Sequence, residues 1–360
     1  MDETSLLVEL VKAYSPSGAE SEAVHVFTQI AESLGFRTEV DGIGNGIARI
    51  GSGRPLILFL GHIDTVEGEI PVRVEEGVVH GRGTCDAKGA LVAALLAAKD
   101  HAGPGEIVVV AAVGEERDSR GARHLIPRHD PDFLIVGEPS GSRSVTVGYK
   151  GVLEVALTFE GERSHHSAPG PSTVESALAV IPEIRGFCAT RAGGSPFAAL
   201  TAKIHAIHTV QAGSRETVEM RVNFRIPPGV TTTEILEFLD RGGITYRVID
   251  RSEAVVVDAT NEVVRALVAG IREHGVRPTL VRKAGTSDMN LAVPVWGCPA
   301  AAYGPGDAHL DHTDAERISL ADFSQAVQVL RSALLRLVEG GPRDTSPPGI
   351  RTIRAEDTSG

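Results

Sequence analysis

Two adjacent glutamates, Glu115 and Glu116, follow a run of seven apolar residues at positions 107–113. A run of this length, rich in β-branched residues, is typical of a buried parallel strand. Neighbouring carboxylates at the end of a strand repel each other unless positive charge lies close to them. For an isolated pair of glutamates, a solvated strand end is the simpler interpretation. Whether this pair has a function therefore depends on which other residues lie at the same edge of the sheet.

A second apolar run, in PLILFLGHIDTV, leads to His62 and Asp64. Residues two apart on a strand share a face, so the Asp64 carboxylate could accept a hydrogen bond from one ring nitrogen of His62. The other ring nitrogen would then be free to bind a metal. The alternative is a structural histidine with no ligand role, which is the more common role of a single histidine at a strand end.

More oxygen and imidazole donors occur where strands end or helices begin. Asp86 lies in the stretch GRGTCDAKG just before a helical pattern, where its alternative role is that of an N-cap. Glu138 follows the short strand FLIVG, and a loop before the last helix contains His309, Asp311 and His312. Open α/β sheets build their sites at the carboxyl ends of their strands. One metal site at this edge is therefore the economical interpretation of the whole set.

The elements that would position these residues form an α/β fold. Apolar runs at 55–60, 107–112 and 133–136 alternate with helical patterns, which predicts a mostly parallel central sheet. From residue 151 the order becomes β-α-β-β-α-β with alternating strands, which is typical of an inserted ferredoxin-like α+β domain. We therefore predict one domain at 1–150 and 255–340, an inserted domain at 151–254 and a disordered tail at 341–360.

The composition restricts the classes of function. The 360-residue chain has a formal net charge of −12, which argues against nucleic acid as a partner because phosphate binding needs clustered Lys and Arg. No apolar stretch approaches the length of a membrane span, and the acidic start MDETSLLVEL does not resemble a signal peptide. Three widely spaced cysteines predict no disulfide framework. These features together predict a cytoplasmic protein.

Five motifs occur in order along the chain: GHIDTV, GRGTCDAKG, GEERDSRGA, VGEP and HTDAE. In this combination they resemble the metallopeptidase and amidohydrolase family that includes carboxypeptidase G, acetylornithine deacetylase and succinyl-diaminopimelate desuccinylase. The resemblance extends to about residue 339. It implies a di-zinc catalytic domain interrupted by a lid domain through which a homodimer forms. It also implies a cis peptide bond between Asp86 and Ala87.

The same resemblance implies the ligands of the metals. These ligands are His62, Asp86, Glu116, Glu138 and His312. Asp86 would bridge two Zn²⁺ ions per subunit, with Co²⁺ as the alternative metal. His62 and Glu138 would complete the ligands of one ion, and Glu116 and His312 those of the other.

Other residues would complete the catalytic site. Glu115 is implied to be the general acid and base, with Asp64 supporting His62. In GERSHHSAP, His165 rather than His166 matches the lid histidine that reaches the active site of the partner subunit in the family. The substrate-binding residues that the resemblance implies are Arg225, Gly285, Thr286 and Ser287.

The stretches VWGCPAAAYGPGDAHLDHTDAE and GTSDMN resemble most the branch of the family that releases lysine or ornithine from the amino-group carrier protein LysW. In that branch the scissile amide joins the side chain of the carrier's C-terminal glutamate to the α-amine of the amino acid. The carrier is acidic, so we expect it to bind at Arg215, Arg221 and Arg225 of the inserted domain.

Other interpretations of the same motifs differ in testable ways. The metal site could serve an N-acyl amino acid deacylase, of the acetylornithine deacetylase or succinyl-diaminopimelate desuccinylase type, or a dipeptidase. A non-enzymatic binding protein is disfavoured because Glu115 and every expected ligand are present. A nucleotide-binding protein is excluded because GRGTCDAKG does not have the spacing of a phosphate-binding loop.

Overall fold

The computed structural model describes residues 2–163, 165, 167 and 169–341, so nearly all of the predicted tail lies outside the described residues. The helices are α1 (Glu3–Lys12), α2 (Ser21–Ser33), α3 (Lys88–Ala98), α4 (Arg120–Leu125), α5 (Thr173–Ala189), α6 (Thr232–Arg241), α7 (Glu262–Glu273), α8 (Met289–Trp296) and α9 (Leu320–Gly340), with a 3-10 turn at Ile126–Arg128. The strands are β1 (Arg37–Val40), β2 (Gly46–Ser52), β3 (Leu56–His62), β4 (Arg73–Glu75), β5 (Val78–His80), β6 (Gly105–Ala112), β7 (Phe133–Gly137), β8 (Ser144–Tyr149), β9 (Gly151–Glu162), β10 (Thr201–Ala212), β11 (Arg215–Ile226), β12 (Thr245–Ser252), β13 (Val255–Val256), β14 (Thr279–Lys283), β15 (Ala300–Ala302) and β16 (Arg317–Ser319).

A nine-stranded sheet forms the centre of the fold, in the order β1-β2-β6-β3-β7-β15-β8-β13 with β14 also paired to β8. Strands β6, β3, β7 and β15 run parallel, so their carboxyl ends lie at one edge of the sheet. Thr146 of β8 pairs with Ala302 on one side and with Val281 of β14 on the other, which makes β14 an edge strand.

Two apolar cores cover the two faces of this sheet. Alternate residues of β3 point to opposite faces, with Ile57 and Phe59 in one core and Leu58 and Leu60 in the other. All residues of α3 are buried, and those from Ala90 to Ala98 belong to the first core. A central strand covered on both faces explains why these strands are continuous apolar runs in the sequence.

Residues 151–252 contain a second sheet of four antiparallel strands, in the order β10-β11-β9-β12. Helices α5 and α6 pack on one face of it through a single apolar core that includes Ile184 and Leu239. The chain order is the predicted β-α-β-β-α-β, so the predicted fold class is confirmed. Among the described residues, no helix combines the length and the apolar character needed to cross a membrane.

Candidate metal centre

The carboxyl ends of three parallel strands bring the predicted ligands to one place. β3 ends at His62, β6 ends at Ala112 just before the glutamate pair, and β7 ends at Gly137 just before Glu138. The strand order β6-β3-β7 places these ends side by side. The parallel register pairs His62 with Ala112 and brings the end of β7 level with it. The convergence predicted from the sequence therefore follows from the sheet topology.

Asp86 lies between two imidazoles. Its Oδ1 is 3.0 Å from His62 Nε2, and its Oδ2 is 3.1 Å from His312 Nε2. His312 Nε2 is also 2.9 Å from Glu116 Oε1. Each carboxylate oxygen of Asp86 thus faces a different histidine, which is the arrangement expected of a bridging ligand. The bond between Asp86 and Ala87 is cis, which confirms that prediction.

Among the residues that the structure describes, two groups of side chains have ligand atoms within 4.8 Å of one another. One group consists of Asp86, Glu116 and His312, which is the set predicted for one metal. The other consists of His62, Glu115 and Glu116, whereas the predicted set was His62, Asp86 and Glu138. Glu138 is buried at the end of β7 and belongs to neither group. The assignment of His62, Asp86 and Glu138 to one metal therefore stays a prediction.

The electrostatics of the centre fit bound cations. Burial raises the pKa of Glu115 well above its usual value, and neighbouring carboxylates add to this effect. Burial, reinforced by Asp86, raises the pKa of Glu138 to about 8. Hydrogen bonds to Asp86 and Glu116 raise the pKa of His312 to about 10. Cations among these groups would remove the repulsion between carboxylates. The mixed oxygen and nitrogen donors are a set that zinc accepts.

Asp64 fixes the backbone of the glutamate pair. This fully buried residue accepts the N–H of Glu115 on Oδ1 at 3.0 Å and the N–H of Glu116 on Oδ2 at 3.1 Å. Ser17 Oγ donates a third hydrogen bond to Oδ2 at 2.6 Å. His62 Nδ1 lies 2.9 Å from the backbone oxygen of Asp64 and 3.7 Å from its Oδ1. The predicted bond from imidazole to carboxylate is thus replaced by one to the carbonyl, which equally leaves Nε2 for a metal.

A buried ion pair holds the loop that carries Asp86. Glu316 Oε1 accepts the N–H groups of Cys85 at 3.0 Å and Asp86 at 3.2 Å, while its Oε2 is 3.0 Å from Arg82 Nη1. The side chain of Arg82 is only 4% exposed and that of Glu316 only 1%. Breaking such a pair leaves a buried charge without a partner, at a cost of about 3–5 kcal/mol. Neither residue was predicted from the sequence to support the site, although Glu316 is the last residue of the motif HTDAE.

Three of the predicted substrate-binding residues, Gly285, Thr286 and Ser287, lie between β14 and α8, and the fourth, Arg225, lies on β11. Arg225, near the end of β11, places Nη1 3.3 Å from Thr286 Oγ1. Ser287 is buried beside it. The guanidinium and the turn at 285–287 therefore belong to one surface, contributed by the two sheets.

Asn290, a buried residue next to this turn, was not among the residues predicted from the sequence. Its Nδ2 donates to the backbone oxygens of Lys150 at 3.0 Å and Glu253 at 2.8 Å. Its Oδ1 accepts the N–H of Ser287 at 3.0 Å. Lys150 precedes β9 and Glu253 follows β12, so one buried amide joins both connections between the sheets to the turn.

Two histidines belong to neither of the two groups of potential metal ligands found among the described residues. His165 is exposed between β9 and α5, with Nδ1 2.8 Å from Ser167 Oγ, and His166 lies outside the described residues. His309 is exposed in the loop before β16 and also belongs to neither group. Nearby, burial raises the pKa of Asp311 to about 7.

Comparison with known proteins agrees with this geometry. A sequence profile of peptidase family M20/M25/M40 matches residues 58–336. A protein of Thermococcus kodakarensis, provisionally named LysW-lysine/LysW-ornithine hydrolase, is 40% identical over 352 residues, which is 97% of this chain and 96% of that protein. The LysW-lysine hydrolase of Deinococcus radiodurans is 37% identical over 350 residues, which is 93% of this chain and 97% of that protein.

A solved structure from Bacillus subtilis, described as a dinuclear metal-binding peptidase of the M20 family, has a TM-score of 0.71 with this chain. It is 13% identical in sequence, and the match covers 94% of this chain and 98% of the other, so it concerns the fold alone. The profile match and the relatives establish the family. The chain belongs to peptidase family M20/M25/M40.

Proposed function

We propose that this protein is a metal-dependent amide hydrolase that releases lysine or ornithine from the carrier protein LysW. The observation that carries the proposal is the similarity, over more than nine-tenths of the chain, to hydrolases named for LysW-lysine and LysW-ornithine. The convergence of acidic and imidazole groups around Asp86 supports the metal dependence. An N-acyl amino acid deacylase or a dipeptidase would use the same metal site and is the alternative.

Five side chains of the centre would hold two metal ions, namely His62, Asp86, Glu116, Glu138 and His312. Asp86 is the proposed bridge because its two oxygens face different histidines. When bound, the ions supply Lewis-acid activation of water and of the scissile carbonyl. Zn²⁺ is the proposed ion and Co²⁺ the alternative, because both accept imidazole and carboxylate ligands.

Glu115 is the proposed general base and general acid. Asp64 accepts the backbone N–H of Glu115. A carboxylate oxygen of Glu115 lies within 4.8 Å of the potential ligand atoms of His62 and Glu116. It accepts a proton from the attacking water as a bond forms between the water oxygen and the amide carbon. It then donates that proton to the amine nitrogen as the carbon–nitrogen bond breaks. The second proton of the water also goes to the amine, so the products are a free amino acid with an ammonium group and the glutamate carboxylate of the carrier.

The residues around Thr286 would bind and orient the substrate. A guanidinium binds carboxylates through paired hydrogen bonds, and the released amino acid carries one α-carboxylate. The contact of Arg225 with Thr286 supports this role. Gly285 and Ser287 complete the turn that faces it.

We also propose that residues 151–254 form a lid and dimerisation domain and that the protein is a homodimer. His165 would then enter the active site of the partner subunit and donate a hydrogen bond to the developing oxyanion. His165 is exposed and belongs to neither group of potential metal ligands among the described residues of its own chain, which supports this role.

The function is tested by measuring kcat/KM on a panel of amides with Zn²⁺ and with Co²⁺. The panel contains LysW-lysine, LysW-ornithine, N-acetyl-lysine, N-acetyl-ornithine, N-succinyl-diaminopimelate and a dipeptide. We expect the carrier-linked substrates to be preferred by about 100-fold or more, which corresponds to about 2.7 kcal/mol. Equal efficiency on N-acetyl-lysine or N-acetyl-ornithine would favour the deacylase alternative. The Glu115→Gln variant controls for contaminating hydrolases.

A further inference from the structure

The edge strand β14 has an open side next to the candidate metal centre. It pairs in parallel with β8, and among the described residues no strand pairs with its other side. Thr279 and Leu280 are exposed, as is Arg282. An open edge of this kind offers unpaired backbone groups to another extended chain.

The backbone hydrogen bonds show which residues face outwards. Thr279 N donates to Arg143 O at 3.0 Å, and Lys150 N donates to Lys283 O at 3.1 Å, so both of these β14 residues face β8. Backbone groups alternate in direction along a strand. Leu280 and Arg282 therefore present their N–H and C=O groups on the open side.

Positively charged side chains lie in and beside β14, although the whole chain has a net charge of −12. Four exposed arginines lie in or beside β14 and have no carboxylate within ion-pair distance among the described residues, namely Arg143, Arg272, Arg277 and Arg282. Arg272 and Arg277 line, with Leu280, a groove of about 490 Å³. Arg282 lies over the ring of Phe197, 5.7 Å from its centroid. Several guanidinium groups that are not paired with a carboxylate in the described part of the chain could therefore bind an acidic segment here.

The strand also leads directly to the reaction centre. Lys283, its last residue, donates from Nζ to the backbone oxygen of Pro139, which follows Glu138. The substrate-binding turn at 285–287 comes immediately afterwards. A chain laid along the five residues of β14 would cover roughly 3.3 Å per residue, so one end of it would approach the metals.

The arginines of the inserted sheet are less suitable for binding an acidic carrier than was predicted from the sequence. Arg221 lies 3.8 Å from Glu154 and 3.6 Å from Glu219, so its charge is already partnered. Arg215 and Arg225 lie towards opposite ends of β11, roughly 33 Å apart at the rise of an extended strand. One short acidic segment cannot contact both.

We propose that the open edge of β14 receives an extended acidic segment of the carrier polypeptide as an added strand, with Arg277 and Arg282 as its main charged contacts. The proposal rests on the proposed function, because only a substrate attached to a protein needs such a surface. Main-chain hydrogen bonds from Leu280 and Arg282 would align the segment, and the arginines would select for acidic side chains. A small N-acyl amino acid would bind without using this edge.

The backbone contribution is tested with Leu280→Pro and its control Leu280→Ala. Proline removes the outward N–H and leaves the hydrogen bonds to β8, whereas alanine removes only the side chain. We expect Leu280→Pro to raise KM for LysW-lysine about tenfold and Leu280→Ala to change it less than about threefold. Turnover of N-acetyl-lysine, metal content and melting temperature verify that both variants are folded.

The charge contribution is tested with Arg277→Glu and Arg282→Glu. Arg185→Glu on α5 is the matched control, because Arg185 is exposed and the net charge changes equally. We expect each of the first two variants to raise KM for LysW-lysine about tenfold, and the difference from wild type to shrink as salt rises. The control should stay within about twofold of wild type.

The outcomes separate the two proposals. If the wild-type protein does not hydrolyse LysW-lysine, the proposed function is wrong. If it does, and Arg277→Glu and Arg282→Glu behave like Arg185→Glu, the docking edge is refuted while the function stands. If the arginine variants are impaired but Leu280→Pro is folded and normal, the charges bind the carrier but strand addition is refuted. If the Leu280→Pro protein is misfolded, the arginine variants decide whether the docking edge is supported or refuted.

Discussion

The Asp64 carboxylate accepts the backbone N–H of Glu115 at 3.0 Å, and thereby sets the position of the proposed catalytic base through the main chain. The second oxygen of Asp64 accepts the next N–H, that of Glu116, at 3.1 Å. Gly114 makes this possible, because its φ of 76° turns the chain just before the pair. A Cβ at this position would lie 2.9 Å from Asp118 Oδ1. The backbone of the two adjacent glutamates is thus held by the buried carboxylate of Asp64, which follows the end of β3.

Replacing Asp64 with Asn should therefore impair catalysis without removing a metal ligand. The amide has one acceptor oxygen, so its NH₂ group would face a backbone N–H. We expect the free energy of unfolding to fall by about 1–3 kcal/mol. We also expect kcat/KM to fall by up to about 100-fold, because small displacements of a catalytic group have effects of this size. Denaturant titration and steady-state kinetics measure the two quantities.

Ser17→Ala is the control for this experiment, because it removes one hydrogen bond to Asp64 and leaves both backbone contacts intact. It should keep kcat/KM within about threefold of wild type. An Asp64→Asn protein with normal kinetics would show that the carboxylate does not position the pair.

The two adjacent glutamates should respond differently to the same substitution. Glu115→Gln should lower kcat by about 10²–10⁴-fold, because an amide cannot transfer the proton. It should still bind two metals per chain. Glu116→Gln should lower the metal content, because Glu116 occurs in both ligand groups. Metal analysis after dialysis and single-turnover kinetics distinguish the two effects. Loss of metal from Glu115→Gln would instead make Glu115 a ligand of His62's metal.

The sequence predicts the proposed ligands more directly than the residues that support them. His62, Glu116 and Glu138 follow apolar runs, and runs of this kind mark parallel strands whose ends must meet. The spacing of Ser17 and Glu20, by contrast, predicts a capping box. In the structure α2 begins at Ser21 and Ser17 binds Asp64. A local sequence pattern cannot show that the Ser17 hydroxyl donates a hydrogen bond to Asp64, which lies 47 positions further along the chain.

Complementation tests the proposed role of His165 in the partner subunit. A His165→Ala chain and a Glu115→Gln chain should each be almost inactive as a homodimer. A mixed dimer would contain one site with both an intact base and an intact partner histidine. We expect mixing to restore up to about a quarter of wild-type activity, because half of the dimers are mixed and each has one complete site. Absence of recovery, with subunit exchange shown by native mass spectrometry, would place His165 outside the partner's site.

The pattern of hydrogen bonds around Asn290 could not be read from the sequence, because it joins three segments that are far apart along the chain. Lys150 and Glu253 lie on the two connections between the sheets, and Ser287 lies in the proposed substrate-binding turn. A buried amide that satisfies all three groups fixes the turn relative to both connections. Asn290 is therefore expected to position the substrate-binding turn.

Asn290→Asp tests this positioning with almost no change in size. A carboxylate can still accept the N–H of Ser287, but it cannot donate to the oxygens of Lys150 and Glu253. We expect kcat/KM to fall about 10–100-fold while the metal content is unchanged, because Asn290 contacts none of the proposed ligands. The free energy of unfolding should also fall, by about 1–3 kcal/mol for each carbonyl that loses its partner.

Asn261→Asp is the matched control for Asn290→Asp. Asn261 makes the same type of contacts, because its Nδ2 donates to two backbone oxygens, those of Asp258 and Ala300, and its Oδ1 accepts a backbone N–H. It caps α7, away from the turn, so this variant should lose stability but keep its kcat/KM within about threefold of wild type. If both variants lose activity in proportion to stability, Asn290 has only a structural role. A selective loss in Asn290→Asp, with two metals still bound, would establish that the amide positions the turn for catalysis.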